Sequence, residues 1–518
     1  MAVIKNIFMQ RDGALTSLWQ YKMPEYISQT NTLTNNVFDV LIVGGGITGI
    51  TTGIQLQKAG KKCILAEAHT IGFGTSGGTT AHLNTFMDNS YAQIEKDFGE
   101  DNARLVATAA REALELVKKN IKEYNIDCDY SEQPGYLYSQ DEKQTKELDD
   151  IYDASKRAGC EIRYEDKIPL PIDFIKAVVY EKQAQFHPAK YFYALAKVFE
   201  DGGGVLIQNC RVTGVHEKGD HLEAESSLGK INTKNLIYAT HIPPGVNLLH
   251  FRCAPYRSYA MAVKLKDNNY PDGLAYDMYD PYHYYRTQEV NGEKYLVAGG
   301  EDHKTAHQQN TEECFRSLEA YLMKYFTIEE ISFKWSSQFF APTDGLPYIG
   351  HLPGNPDDVF VATGFGGNGM TYSHVTALML TDLIVKGESR YEKLLDPNRI
   401  KPIAGFENFV KESADVVAKF IGDRLHKVKI KELSELAHGE AKVVKYEGDS
   451  IALYKDERGG LHAVNPACTH VNCIVAWNSS EQTWDCPCHG SRFSMDGEVL
   501  TAPARKDLEK IDLEKLAK

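Results

Sequence analysis

Cys468-x-His470, fifteen residues, then Cys486-x-x-His489 places two thiols and two imidazoles in two short stretches near the carboxy terminus. Two thiolates and two neutral imidazoles complete a tetrahedral site for a structural zinc ion. The same four donors suit a [2Fe–2S] cluster, with two cysteines on one iron and two histidines on the other. Donor type and spacing leave both open. Cys473 and Cys488 fall in the same stretch, while the other six cysteines are scattered from Cys63 to Cys314 and are expected to be buried, reduced thiols.

A second chemical signature stands near the amino terminus. Gly44, Gly46 and Gly49 form G-x-G-x-x-G between an apolar run, Asp39 to Val43, and a stretch of helical length, Ile47 to Ala59. The three glycines allow a tight turn, close approach of backbone to a pyrophosphate and close packing of helix on sheet. The helix N-terminus then faces the diphosphate with unpaired N–H groups and partial positive charge. Glu67 ends the next strand, Cys63 to Ala66, where it can accept hydrogen bonds from an adenosine ribose. The fingerprint is compatible with either FAD or NAD.

Two further glycine-rich segments are candidates for the same ligand. Residues 72 to 84, GFGTSGGTTAHLN, are too rich in glycine and hydroxyl groups to be core and suit a phosphate or flavin contact. Residues 359 to 370 run from a strand into Gly364, Gly366, Gly367 and Gly369 and then into a long apolar helix. A helix N-terminus at that place suits a redox cofactor that becomes anionic when reduced.

The elements that must position these groups alternate between strand and helix. Helical spacing extends over Glu100 to Glu123 and Pro188 to Glu200, and short buried strands are expected at Val205 to Ile207, Asn235 to Ala239 and 295 to 301. The tyrosine-dense stretch 276 to 287 reads as half-buried sheet surface, with an aromatic-walled pocket as the alternative. Length implies several domains. We divide the chain into an arm, 1–37, to which no chemistry is assigned; an α/β dinucleotide-binding region, 38–385; a charged linker, 386–425, with a helix near Glu407 to Phe420; and a small all-β domain, 426–518. A net charge of −14 argues against nucleic acid as a partner. No apolar run has membrane-span length and the first residues lack a signal-peptide plan, so a cytoplasmic location is expected.

The motifs GGGITG, HPAKY, ATH after Asn235, DGLPYIG and ATGFGGNGM together resemble the glycine oxidase and D-amino-acid oxidase superfamily of flavoproteins over about residues 36 to 385. That resemblance implies FAD as cofactor, bound in a Rossmann-like fold with an interleaved antiparallel-sheet substrate domain. It implies ADP at Gly44, Gly46, Gly49 and Glu67, adenine near Val212, and the isoalloxazine near Thr79, Thr80, Gly367, Gly369 and Met370. NPACTHVNC and WDCPCHGSRF are similar to the two cluster loops of Rieske proteins. This implies a [2Fe–2S] cluster on Cys468, His470, Cys486 and His489, with Cys473 and Cys488 joined in a disulfide between the loops. Ser491 matches a cluster hydrogen-bonding serine of that family, whereas Phe493 stands where a tyrosine is usual.

The expected function is a flavin-dependent dehydrogenase that oxidises a small amine or amino acid and passes electrons to the cluster and an unidentified external acceptor. Tyr285 and Arg286 are candidates to grip a substrate carboxylate, since arginine offers a bidentate fork. The alternative is an electron-transfer reductase or redox sensor without an organic amine substrate.

Overall fold

The computed structural model describes residues 8–399, 428–429, 436–446 and 449–513; the helix expected near Glu407 to Phe420 lies outside the described residues. At its centre is a sheet whose strands run in the spatial order Tyr348–His351, Val359–Thr363, Gly229–Tyr238, Val37–Val43, Cys63–Ala66, Val205–Ile207. The last five of these are mutually parallel. Val37–Val43 is buried on both faces except at its first residues, as an internal parallel strand between two helix layers must be. Helices Ile47–Lys58, Glu100–Tyr124 and Gly369–Lys386 pack together on the sheet.

The strand-to-helix turn has the geometry that its glycines require. Gly44 has φ +113°, and a Cβ there would stand 2.4 Å from the Ala239 carbonyl oxygen. A Cβ on Gly49 would stand 2.1 Å from the Gly44 oxygen and 3.1 Å from Ile42, so this glycine lets the helix rest on the strand beneath it.

A second sheet of nine strands carries Ile328–Pro342, Cys253–Leu265, Glu293–Lys304, Tyr284–Val290, Leu274–Tyr276, Ser131–Ser139, Lys176–Gln185 and His82–Leu83 in spatial order, with Ile162–Glu165 beside Lys176–Gln185. It is antiparallel apart from one junction, where Leu274–Tyr276 runs parallel to Ser131–Ser139. Its strands come from segments scattered between those of the first sheet. The two sheets therefore share one interface although neither is continuous in sequence.

The carboxy-terminal region forms two four-stranded sheets, Val428–Lys429 to Leu461–Val464 and Ala476–Asn478 to Val499–Thr501. Trp484, Phe493, Val475 and the four clustered cysteines make its core. The amino-terminal arm joins this region to the rest. Arg11 donates to both oxygens of Glu481 at 2.9 Å, and Arg492 pairs with Asp12 at 2.5 Å and with Asp485 at 3.1 Å. Arg257 of the nine-stranded sheet meets the other Asp485 oxygen at 3.1 Å. Burial raises the Asp12 and Asp485 pKa values, but the arginines more than offset it and hold both carboxyls below the usual range. The arm thus packs on the flavoprotein-like region and also clamps the terminal domain to it.

Candidate functional site

One cavity of about 640 Å3 lies between the two large sheets and reaches the terminal domain. That volume is within the usual range for a small-molecule or cofactor site. Gly44, Gly46, Glu67, Thr79, Thr80, Val212, Gly367, Gly369 and Met370 all line it, so residues named from separate segments of sequence meet around one space. Gly49 does not line it; its task is the packing under the turn.

The phosphate end is built from backbone. The Ile47–Lys58 helix starts at the cavity with Gly46 as its N-cap, and Ser76 Oγ accepts the Ile47 N–H at 3.0 Å. Glu67 is fixed by the N–H groups of Gly45 at 2.6 Å and His69 at 2.8 Å. Burial nevertheless raises its pKa, and Arg211 nearby works against that rise. A carboxylate has lone pairs left after two such bonds, so it can still accept from a ribose.

The opposite end meets the N-terminus of the Gly369–Lys386 helix and a wall of aromatic residues. Tyr276, Tyr282 and Tyr284 line it, with His82, Ser258, Asp88 and Asp302. The tyrosine-dense segment therefore forms pocket wall as well as sheet surface. His82 is held neutral, its pKa pulled down to about 3 by burial and then by Arg286, and its Nε2 has no hydrogen-bond partner.

Neither Tyr285 nor Arg286 reaches the cavity, which corrects the expectation that they grip a substrate carboxylate. Side chains alternate along Tyr284–Val290, so Tyr284 faces the cavity and Tyr285 packs on the other side with Tyr138 and Phe326. Arg286 returns to the first side but is fully buried beyond the cavity wall. It donates to the carbonyls of Thr80 and Ala81 at 2.8 Å and Phe186 at 3.3 Å, and to Gln288. Its fork is occupied by backbone, and its effect is to hold the 79–81 turn against Trp19, whose indole donates to the Thr79 carbonyl at 2.5 Å.

In the terminal domain Cys473 and Cys488 form a disulfide between the two loops, with Cα atoms 6.5 Å apart. Their sulfurs lie within 4.8 Å of Cys486, but the bond removes them as donors. The donors that remain are Cys468, Cys486, His470 and His489. Both thiols are buried and free, and a hydrogen bond between them lowers the pKa of Cys468 and raises that of Cys486. The histidine rings are 5.0 Å apart, and all four of their nitrogens are buried without a hydrogen-bond partner. Burial lowers the pKa values to about 4 for His470 and about 3 for His489, leaving the neutral imidazoles that metal ligation needs. Orphaned imidazole nitrogens beside two free buried thiols fit a two-cysteine, two-histidine cluster site.

The cluster loops face the flavoprotein-like region. The His250 ring is 4.7 Å from His470 and 5.8 Å from His489, and the Phe251 ring is 5.4 Å from His489. Gln338, on the cavity wall, donates to the Gly490 carbonyl at 2.8 Å. Ala502, Ala504 and Arg505, which follow the strand Val499–Thr501, line the cavity itself, and the Ala504 N–H donates to Ser491 Oγ at 3.1 Å.

Fold and site together define an oxidoreductase with a dinucleotide cofactor at the end of a parallel sheet and an iron–sulfur-type centre docked against it. The family model of FAD dependent oxidoreductases, DAO, matches residues 39–383, and that of the Rieske [2Fe-2S] domain matches residues 426–512. The chain belongs to the DAO family of FAD-dependent oxidoreductases and carries a carboxy-terminal Rieske domain; its cofactors are FAD and a [2Fe–2S] cluster. It is 36% identical over 479 residues to YhfW of Bacillus subtilis (strain 168), named for a Rieske 2Fe-2S iron-sulfur centre, covering 92% of this chain and 94% of that one. It is 25% identical over 376 residues to the gamma-glutamylputrescine oxidoreductase of Escherichia coli (strain K12), covering 68% of this chain and 85% of that one. Glycine oxidase from Geobacillus kaustophilus shares the fold, with a TM-score of 0.60 and 17% identity over 71% of this chain and all of that one.

Among the described residues no helix is long and apolar enough to cross a membrane. Sequence reading missed Asp88, Asp302, His82 and His250 as site residues. The motif at 72 to 84 contains His82, but nothing in the sequence linked Asp88 and Asp302 to the cavity or His250 to the histidines of the terminal domain.

Proposed function

We propose that this chain is a dehydrogenase that oxidises the C–N bond of a small amine or amino acid and sends the electrons through its Rieske domain to an external one-electron acceptor. Bound FAD supplies a hydride acceptor and the cluster a one-electron relay. A neutral amine gives up a hydride from the carbon of its C–N bond to the flavin and leaves as the iminium ion, keeping its nitrogen protons. The chain's own residues position and enclose. Tyr276, Tyr282 and Tyr284 wall off the reacting end, Arg286 holds residues 79–81, and the two helix N-termini at the cavity would stabilise negative charge on a bound cofactor. No residue need act as a base if the amine arrives neutral.

The observation that carries the reading is the docking of the cluster loops. His489 is 3% exposed and is followed by Gly490, whose carbonyl is bonded to a residue of the cavity wall. A second cluster loop tied to the cavity wall supports passage of electrons from the cofactor to the cluster. The cavity end walled by tyrosines favours an organic substrate over a reductase or sensor without one.

Anaerobic rapid mixing of the holoenzyme with an oxidisable amine tests this. Flavin bleaching should come first and cluster reduction second, at a rate independent of protein concentration. His489→Ala should abolish the second phase and spare the first. A cluster that stays oxidised beside fully reduced flavin would refute the electron outlet.

A further inference from the structure

Charge in the cavity is sorted by end. Arg211 and Arg505 line it on the side of Glu67 and Val212, and among the described lining residues there is no other arginine and no lysine. At the tyrosine-walled end the ionisable groups besides the phenols are His82, Asp88, Asp277, Asp302 and, exposed on its helix, Glu147. His82 is neutral, as shown above. Asp277 is already paired: His283 Nδ1 meets its Oδ2 at 2.8 Å, and Tyr321 donates to the same oxygen at 3.1 Å. Burial opposes the charge on His283, but Asp277 and Glu301 outweigh it and raise the imidazole to about 9, so this pair carries its own counter-charge.

Asp88 and Asp302 have no base paired to them; the His283 imidazolium and the Ser258 hydroxyl act on Asp302 but do not outweigh its burial. Asp88 accepts the Gly367 N–H at 2.6 Å and the Tyr282 hydroxyl at 3.4 Å, both neutral donors. Asp302 Oδ1 is buried without a hydrogen-bond partner, and the exposure that the side chain retains is toward the cavity it lines. Burial drives its pKa up to about 7, and Asp88 adds to the rise. Burial, and after it both carboxyls, raise the pKa values of the Tyr282 and Tyr284 hydroxyls, which places the four side chains in one electrostatic neighbourhood. A buried carboxylate without a partner is costly, and a bound cation relieves that cost. Tyrosine ring faces add attraction for a cation. A substrate carboxylate at this end would meet two acids and no available base, because Arg286 is used up by backbone carbonyls.

Resting on the amine-oxidation reading above, we infer that the substrate is an amine with a second, non-reacting cationic group and no carboxylate beside the reacting carbon, and that Asp302 and Asp88 bind that second cation against Tyr282 and Tyr284. Short α,ω-diamines are the simplest members of this class. The reacting nitrogen stays neutral while the remote one carries the charge that the acids recognise.

The test compares, on the holoenzyme, α,ω-diamines with alkyl monoamines of the same length and with glycine and L-proline. Diamines should bleach the flavin anaerobically with KM about 10- to 100-fold below the monoamines, the range of a charge-assisted hydrogen bond. Asp302→Asn should remove most of that KM advantage, raising diamine KM far more than monoamine KM, and change kcat much less. A readout independent of turnover is the flavin difference spectrum: a bis-quaternary alkyl diammonium, which cannot be oxidised in the same way, should perturb it and compete with diamines, whereas acetate should not. Amino acids reducing the flavin while diamines do not would overturn the cation site and leave the C–N reading standing. If neither class reduces the flavin, the C–N reading fails. The diammonium titration then judges the site separately, and perturbation by acetate alone would overturn it.

Discussion

Gln338 Nε2 donates to the carbonyl oxygen of Gly490 at 2.8 Å, joining the wall of the cofactor cavity to the residue that follows His489. The Gln338 side chain is itself held, since its Oε1 accepts from Thr305 Oγ1 at 3.0 Å. The bond therefore fixes the second cluster loop relative to the cavity.

Replacing this side chain should loosen that relation. Gln338→Ala leaves the Gly490 carbonyl unpaired in a buried place, which costs about 1–3 kcal/mol. Thermal denaturation followed at the cluster's visible absorption should show a lower midpoint, and the cluster-reduction phase after flavin bleaching should slow. An unchanged second phase would mean that this contact has no part in coupling the centres.

The clamp between the amino-terminal arm and the terminal domain should matter more. Glu481 accepts two bonds from Arg11 and two from Ser336, all buried. Glu481→Gln removes the negative charge opposite Arg11, and breaking a buried pair from one side costs about 3–5 kcal/mol. Calorimetry should record a large fall in Tm that added salt does not reproduce in the native protein, because these charges are shielded from the solvent.

Metal content follows from the donor set. Purified protein should contain iron and labile sulfide and give a Rieske-type EPR signal on reduction, and His489→Ala should lose that signal. Alkylation of denatured, unreduced protein should label the eight free cysteines and spare Cys473 and Cys488. Stoichiometric zinc without sulfide would contradict the assignment.

Asp302 predicts a pH-dependent stability with a definite sign. Burial, with Asp88 and Asp280 adding and Ser258 and His283 opposing, raises its carboxyl from 3.8 to about 7 in the folded protein. Between those values the folded state holds a proton that the unfolded state has lost, so the carboxyl destabilises the fold increasingly as pH rises through this window. Above about 7 the penalty is complete. Substrate-free Asp302→Asn should therefore gain Tm over the parent protein progressively from about pH 4 to about pH 7 and no further above that. A gain that is the same at all pH values would show that the carboxyl is not perturbed.

Diamine affinity should move in the opposite sense. Binding a cation favours ionised Asp302, so affinity should strengthen as pH rises toward neutrality, and this dependence should vanish in Asp302→Asn. Isothermal titration with the bis-quaternary diammonium isolates the effect, since that probe has no proton to lose.

What was legible in the sequence was chemistry encoded at short range. Gly44, Gly46 and Gly49 must sit at a strand-to-helix turn because only such a turn needs backbone that tight, and the cysteine–histidine pairs lie two and three residues apart because one loop presents both donors. Even there, period-two alternation could say that Tyr285 and Arg286 face opposite ways, but not what covers either face. That was decided by Thr80, Ala81 and Phe186, whose carbonyls take the Arg286 guanidinium from 100 to 206 residues away in the chain. Asp88 and Asp302 became a pair for the same reason: they lie on different segments, and only the meeting of the two sheets buries both at one end of a cavity. The inward aspect of the cluster loops depends on Arg11, Arg257 and Gln338 contacting residues 481 to 490. Local spacing determined which groups this protein possesses, whereas burial and long-range pairing determined which of them face the substrate and one another.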